Sequence, residues 1–263
     1  MKYFVFLVFL ALAIIATFTS QKQSPTPPSQ PTPIDIYTPP TVATSSSYTI
    51  IFLGDSMVEA LGDNFDSLRQ LLKAHYPEKT FGLFNYGFGS TNILSVEQRL
   101  TKDNEYLGKV YPAILNRYFD VIILESMGNN PLSQYPIEEG LKIQTETLQK
   151  VTSLINFHHP QSVIVFLATI APSQTHYGRG VVDLSAGERN SWANERRFYI
   201  ENHINFAKIH HFPLINVYEK SLDQNGTALL KYLNPDNYIH PSRQGIELIS
   251  QEIADYLYQI LPQ

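Results

Sequence analysis

Four short segments of this chain carry residue types that together perform acyl transfer. Gly54-Asp55-Ser56 follows directly on the apolar run Tyr48–Leu53, and Asn85-Tyr86-Gly87-Phe88-Gly89-Ser90-Thr91 closes a second run. Gly128-Asn129-Asn130 follows a third, and Asn237-Tyr238-Ile239-His240-Pro241-Ser242 stands before the last amphipathic stretch. A serine hydroxyl is a weak nucleophile at neutral pH and needs a neighbouring base to take its proton. Histidine has the ordinary pKa for that task. The tetrahedral intermediate then needs donors aimed at its oxyanion, and the Ser56 N–H, the Gly89 N–H and the Asn129 side-chain amide are the candidates. Each segment also has a plainer reading. Ser56 can cap a helix, Gly87 and Gly89 can serve a turn, Asn129-Asn130-Pro131 is ordinary turn chemistry, and Ser242 can start a helix behind His240. Glu59 reads as a favourable dipole partner early in a helix rather than a second acid.

The elements around these segments must bring them to one place. Tyr48–Leu53, Thr80–Tyr86, Asp120–Glu125, Ser162–Ala168 and Pro213–Val217 read as strands. Asp66–Tyr76, Ile93–Leu100, Gly140–Phe157, Arg189–Lys208 and Ser242–Ile260 read as helices. Strict alternation predicts βαβ units, and the continuous apolar centres of the strands predict a parallel sheet covered on both faces. The fold class is therefore α/β, a three-layer α/β/α sandwich with a five-stranded parallel sheet in the flavodoxin-like order 2-1-3-4-5. In such sheets ligands bind at the carboxyl ends of the strands, where three of the four segments fall.

The chain has 263 residues, no cysteine and a formal charge of −5. Absence of cysteine excludes disulfides and thiolate metal sites, and the acidic balance argues against nucleic acid as a partner. Met1-Lys2 followed by the uncharged stretch Tyr3–Phe18 has the pattern of a signal peptide or an N-terminal membrane anchor over residues 1–20. Either one takes the remainder out of the cytoplasm. Residues 21–47, rich in Pro, Ser, Thr and Gln, read as a solvated linker, and 48–263 as one domain. The pairs His158-His159 and His210-His211 lack carboxylates at ligand spacing and read as solvated loop, so no metal is expected. The stretch Pro172–Trp192, with Tyr177, Arg179 and Arg189, reads as a wall of the substrate site.

The four motifs, in this order, resemble those of the GDSL or SGNH hydrolase family over most of residues 48–263. The family's serine falls on Ser56 in "GDSMVEALG", its glycine on Gly89 in "NYGFGST", its asparagine on Asn129 in "ESMGNNPL" and its histidine on His240 in "NYIHPS". The resemblance implies the three-layer fold and cofactor-free hydrolysis of acyl or acetyl esters. Two positions depart from the family. Around the third motif the family has Gly-x-Asn-Asp, where this chain has Met127 and Asn130. The family also places Asp three residues before the histidine, where this chain has Asn237. Asp236, one residue earlier, is the preferred orienting group for His240, because a carboxylate stabilises the imidazolium by charge. Asn237 remains the alternative.

The expected activity is that of an extracytoplasmic serine esterase removing O-acyl, chiefly acetyl, groups from carbohydrate. The expected protein is a monomer with a glycan or small-molecule ester as substrate and a membrane tether through residues 3–18. The alternatives are a lipolytic esterase or lysophospholipase, an acyltransferase using the same serine, and a catalytically degenerate binding module on the same fold.

Overall fold

The computed structural model describes residues 31–263. The expected signal or anchor, residues 1–20, and the first part of the linker lie outside the described residues. Among the described residues no helix is long and apolar enough to cross a membrane.

In chain order the elements are β1 (Ser47–Gly54), α1 (Ser56–Glu59), α2 (Asp66–His75), β2 (Thr80–Gly87), α3 (Val96–Thr101), β3 (Asn104–Tyr106), β4 (Lys109–Tyr111), β5 (Val121–Glu125), α4 (Ile137–His158), β6 (Val163–Ala168), α5 (Ala186–Ile209), β7 (Leu214–Asn216), α6 (Val217–Lys220) and α7 (Arg243–Ile260). The main sheet runs β2-β1-β5-β6-β7, and every pairing in it is parallel. Counting only these five strands, this is the expected order 2-1-3-4-5. β3 and β4 form a separate antiparallel hairpin that the sequence does not announce, because three-residue strands carry too little alternation.

Side chains alternate between the two faces along each strand. Ile50, Phe52, Val121, Ile123, Val163 and Val165 enter one core with Leu68 and Leu72 of α2 and Ile249, Ile253 and Leu257 of α7. Ile51, Leu53, Ile122, Leu124, Ile164 and Phe166 enter the other with Leu148, Val151 and Ile155 of α4. Helix α5 contributes Ile200 and Ile204 to the first core and Phe206 and Ala207 to the second. It begins at Ala186 rather than Arg189 because Ser185 and Glu188 form a capping box, which satisfies amides at the helix start. Ser242 caps α7, its Oγ accepting from the Gly245 N–H at 3.1 Å.

The second half of the linker departs from expectation. Residues 31–46 contain no helix or strand, yet they pack on the domain instead of standing in solvent. Tyr37 and Val42 are buried, and the Tyr37 ring stacks on Phe212 at 4.5 Å. The Tyr37 hydroxyl accepts from the Ile164 N–H at 2.9 Å. One aromatic side chain thus fastens the segment to the domain as a strap.

Candidate active site

Strand order reverses at β1, with β2 on one side and β5 on the other. The crevice beyond the carboxyl ends of β1 and β5 is thus the topological switch point. Ser56 opens α1 immediately after β1 and is half-buried. Asp55 caps it, with Oδ1 accepting from the Met57 N–H at 2.8 Å. Its other oxygen, Oδ2, accepts from Asn130 Nδ2 at 2.9 Å, and this bond ties the third motif to the first. The asparagine amide can donate here, whereas an ionised carboxylate would have no proton to give.

Asn129 sits beside it in the turn after β5 and is buried, and its Nδ2 has no hydrogen-bond partner among the described residues. An unpaired buried donor costs about 1–3 kcal/mol. Met127, at the other departure, has a left-handed backbone with φ +50°, a conformation that favours the family's glycine. Its buried side chain offsets the strain by packing in the second core and by offering Sδ to Arg99 Nη2 at 3.5 Å. Gly128 is required by a close approach, since an added Cβ would strike Ile200 of α5.

The second motif lies alongside the first, with the Phe88 N–H donating to the Gly54 carbonyl at 3.1 Å. Gly87 is more than a turn residue: a Cβ there would collide with the backbone of Val58 and Glu59. The Gly89 N–H is not free. It donates to the Tyr106 hydroxyl at 2.8 Å, and that hydroxyl donates to Glu59 Oε1 at 2.9 Å. Burial and the Glu59 acceptor raise the Tyr106 hydroxyl above its ordinary pKa, so it stays a phenol. Glu59 is therefore an acceptor for the hairpin as well as an acidic residue early in α1.

Beneath the serine lies a charge cluster that sequence reasoning missed. Asp55, Glu125 and Arg99 are all buried. Arg99 Nη1 donates to the Gly54 and Tyr86 carbonyls at 2.6 and 2.9 Å, joining the ends of β1 and β2. Glu125 Oε2 accepts from the Met127 N–H at 2.9 Å and Oε1 from Ser126 Oγ at 2.6 Å. Burial, reinforced by the Asp55 charge, holds Glu125 well above the usual carboxylate range, and burial also raises Asp55. Burial lowers Arg99 to about 10, so it remains a cation at neutral pH. The one sequence signal was a glutamate ending an otherwise apolar strand.

His240 lies in the loop before α7, half-buried. Among the described residues neither its ring nitrogens nor the Ser56 hydroxyl make a hydrogen bond, so the two are not joined in this structure. Catalytic hydrogen bonds often tighten only when substrate binds. Asn237 Oδ1 accepts from the Ile239 and His240 N–H groups at 2.8 and 3.0 Å, which spends it on shaping the turn. Asp236 is exposed, and its carboxylate has no hydrogen bond among the described residues. The Pro172–Ser185 loop reaches this motif, with the His176 ring 4.9 Å from Tyr238. The Arg196 guanidinium of α5 lies over the Tyr177 ring at 4.7 Å and the Trp192 ring at 5.0 Å. Arg189 is structural, bonding the Tyr177 and Leu184 carbonyls. One histidine of each pair meets a backbone carbonyl: His159 Nε2 that of Leu115 at 3.0 Å and His210 Nδ1 that of Asp35 at 2.8 Å.

No family model and no curated protein matches this chain. Solved structures do. The lipase/acylhydrolase from Enterococcus faecalis superposes with a TM-score of 0.56 at 15% identity, covering 82% of this chain and 97% of that one. The acetylxylan esterase from Geobacillus stearothermophilus superposes with a TM-score of 0.52 at 15% identity, covering 85% of this chain and 97% of that one. A third neighbour, of the G-D-S-L family from Desulfitobacterium hafniense, gives 0.52 at 14% identity over 79% of this chain and 98% of its own. The chain has the SGNH hydrolase fold.

Proposed function

We propose that this chain is a serine esterase. Ser56 Oγ attacks the ester carbonyl while His240 takes its proton. The oxyanion is met by the Ser56 N–H and by Asn129 Nδ2, and His240 then protonates the departing alkoxide. Water, deprotonated by the same histidine, releases the acid. No cofactor enters this scheme. The observation that carries it is the buried, unpaired amide of Asn129, on the turn that Asn130 fastens to Asp55 next to Ser56. A buried donor with no partner has its hydrogen bond free for an incoming oxyanion.

Asp236 is proposed to stabilise the His240 imidazolium. The reading is supported by Asn237, whose carbonyl oxygen is already taken by two backbone amides, and by the charge that only a carboxylate supplies.

The substrate class is proposed to be O-acetyl groups on carbohydrate outside the cytoplasm, acted on by a monomer held near the membrane through residues 3–18. Trp192, 39% exposed beside Arg196 and Tyr177, offers an aromatic face of the kind that suits a sugar ring, and one structural neighbour is an acetylxylan esterase. The test compares nitrophenyl acetate, a long-chain nitrophenyl ester and acetylated xylan against a Ser56→Ala control. Turnover of the acetyl substrates above the control is expected. Preference for the long chain would transfer the assignment to a lipolytic esterase, and no turnover of any ester would leave a binding module.

A further inference from the structure

The Asn129 side-chain amide has no partner among the described residues, so its aim is set by the backbone on either side of it. The Asn130 N–H donates to the Met127 carbonyl at 3.1 Å, which closes residues 127–130 into one turn with Asn129 at its third position. After Asn129, the Asn130 side chain is tied to Asp55 at 2.9 Å. Before Asn129, the ties converge on Glu125 at the end of β5. Its Oε2 accepts from the Met127 N–H at 2.9 Å and from the Asp55 N–H at 3.4 Å. One oxygen atom thus joins the turn that carries Asn129 to the residue that precedes Ser56. The other oxygen accepts from Ser126 Oγ at 2.6 Å, and that Oγ accepts from the Gly128 N–H at 3.3 Å. The Ser126–Met127 and Met127–Gly128 peptides are therefore both held from Glu125, and the next peptide leads into Asn129. Glu125 and Ser126 are completely buried. Burying a carboxyl group is costly, whereas an apolar side chain would end the strand more cheaply but leave the Met127 amide without its acceptor.

We propose that Glu125 is a positioning residue for ester hydrolysis, setting where the Asn129 amide stands relative to Ser56. The proposal rests on the reading of Ser56 as nucleophile and Asn129 as oxyanion donor. Glu125 does not reach the substrate, and it acts through the backbone of the two turns it joins. A donor fixed before the substrate arrives needs no reorganisation at the moment of reaction, and the buried carboxyl group supplies that fixity.

The test is a double-mutant cycle on kcat with nitrophenyl acetate, with melting curves recorded alongside. Displacing a catalytic group by about 1 Å can cost on the order of 10²-fold. Glu125→Ala is therefore expected to lower kcat by about 10–100-fold with KM nearly unchanged. Glu125→Gln should recover most of that loss, because its amide oxygen still accepts from Met127 and Asp55 and its Nε2 can donate to Ser126 Oγ. In the Asn129→Ala background no amide is left to aim, so Glu125→Ala should lower kcat there by less than about 3-fold.

An equal loss in both backgrounds would mean that Glu125 supports the fold at large. An unaltered kcat in Glu125→Ala would mean that Asn129 keeps its aim without it, and a loss in Glu125→Gln as deep as in Glu125→Ala would mean that hydrogen bonding is not what counts. Each of the three overturns the proposal. If the melting curves show that Glu125→Ala does not fold, Ser126→Ala takes its place in the cycle, removing only the hydroxyl on the Gly128 amide. Its expected loss is about 3–10-fold, again absent in the Asn129→Ala background, and an equal loss in both or no loss in either overturns the proposal likewise. Turnover by the wild-type chain above Ser56→Ala is the control. Without it the esterase reading itself fails, whereas turnover together with any contrary result removes the positioning role alone.

Discussion

The Asn129 amide is the residue on which the proposed chemistry turns, because it is buried and has no partner among the described residues. Its predicted contribution is differential: it binds the oxyanion more strongly than the ground-state carbonyl. Asn129→Ala should therefore lower kcat by roughly 10²–10³-fold with little change in KM, read from saturation curves with nitrophenyl acetate. A rise in KM alone would make Asn129 a substrate-binding group instead. At the base, Asp236→Ala should cost more in kcat than Asn237→Ala, and the reverse order would transfer the orienting role to Asn237. The candidates legible in the sequence were those whose type announces chemistry, at a strand end for Ser56 and Asn129 and before the last helix for His240. Tyr106, Arg99 and Glu125 were not legible, since each acts through a partner distant in sequence: Arg99 through the Gly54 carbonyl, Tyr106 through Glu59, Glu125 through its place beside Asp55.

Among the elements, α1 and the end of β2 are pressed together more closely than any side chain allows. Gly87→Ala would drive a methyl group into the Val58–Glu59 backbone. It should cost about 1–3 kcal/mol, the range for overpacking, and should lower activity as well, because α1 carries Ser56. Denaturant melts and kcat measured on the same sample check both. By contrast, Ser242→Ala should cost about 1 kcal/mol through loss of a helix cap. Its kcat should hold, because the cap bond at 3.1 Å to Gly245 fixes α7 and not the imidazole. The strands and long helices were legible because burial imposes periods of two and 3.6. The hairpin and the short helices α1 and α6, at three and four residues each, are too brief to display a period.

Across the whole molecule, two parallel cores hold the sheet, and the second contains a buried histidine on α5. The His203 ring lies 4.5 Å from that of Phe166, and burial pushes its pKa down to about 3. The unfolded chain protonates the same group near pH 6.5. Its contribution is therefore fully present above about pH 6.5 and is lost as pH falls toward 3, on the order of a few kcal/mol by pH 4. His203→Phe should flatten the decline in stability between pH 6 and pH 4, as measured by urea unfolding across that range. An unaltered slope would place the acid sensitivity elsewhere. The strap at Tyr37 shows where composition misleads at this scale: proline-rich sequence suggests a solvated tether, while one buried aromatic ring fastens it to the domain.

The account as a whole stands on Ser56 carrying the acyl group. Its most direct test is acid-quench mass spectrometry of the chain during turnover of nitrophenyl acetate. An acetyl adduct on the Ser56 peptide, absent in Ser56→Ala, is the predicted result. Turnover with no adduct at Ser56, or with the adduct on another residue, would contradict it.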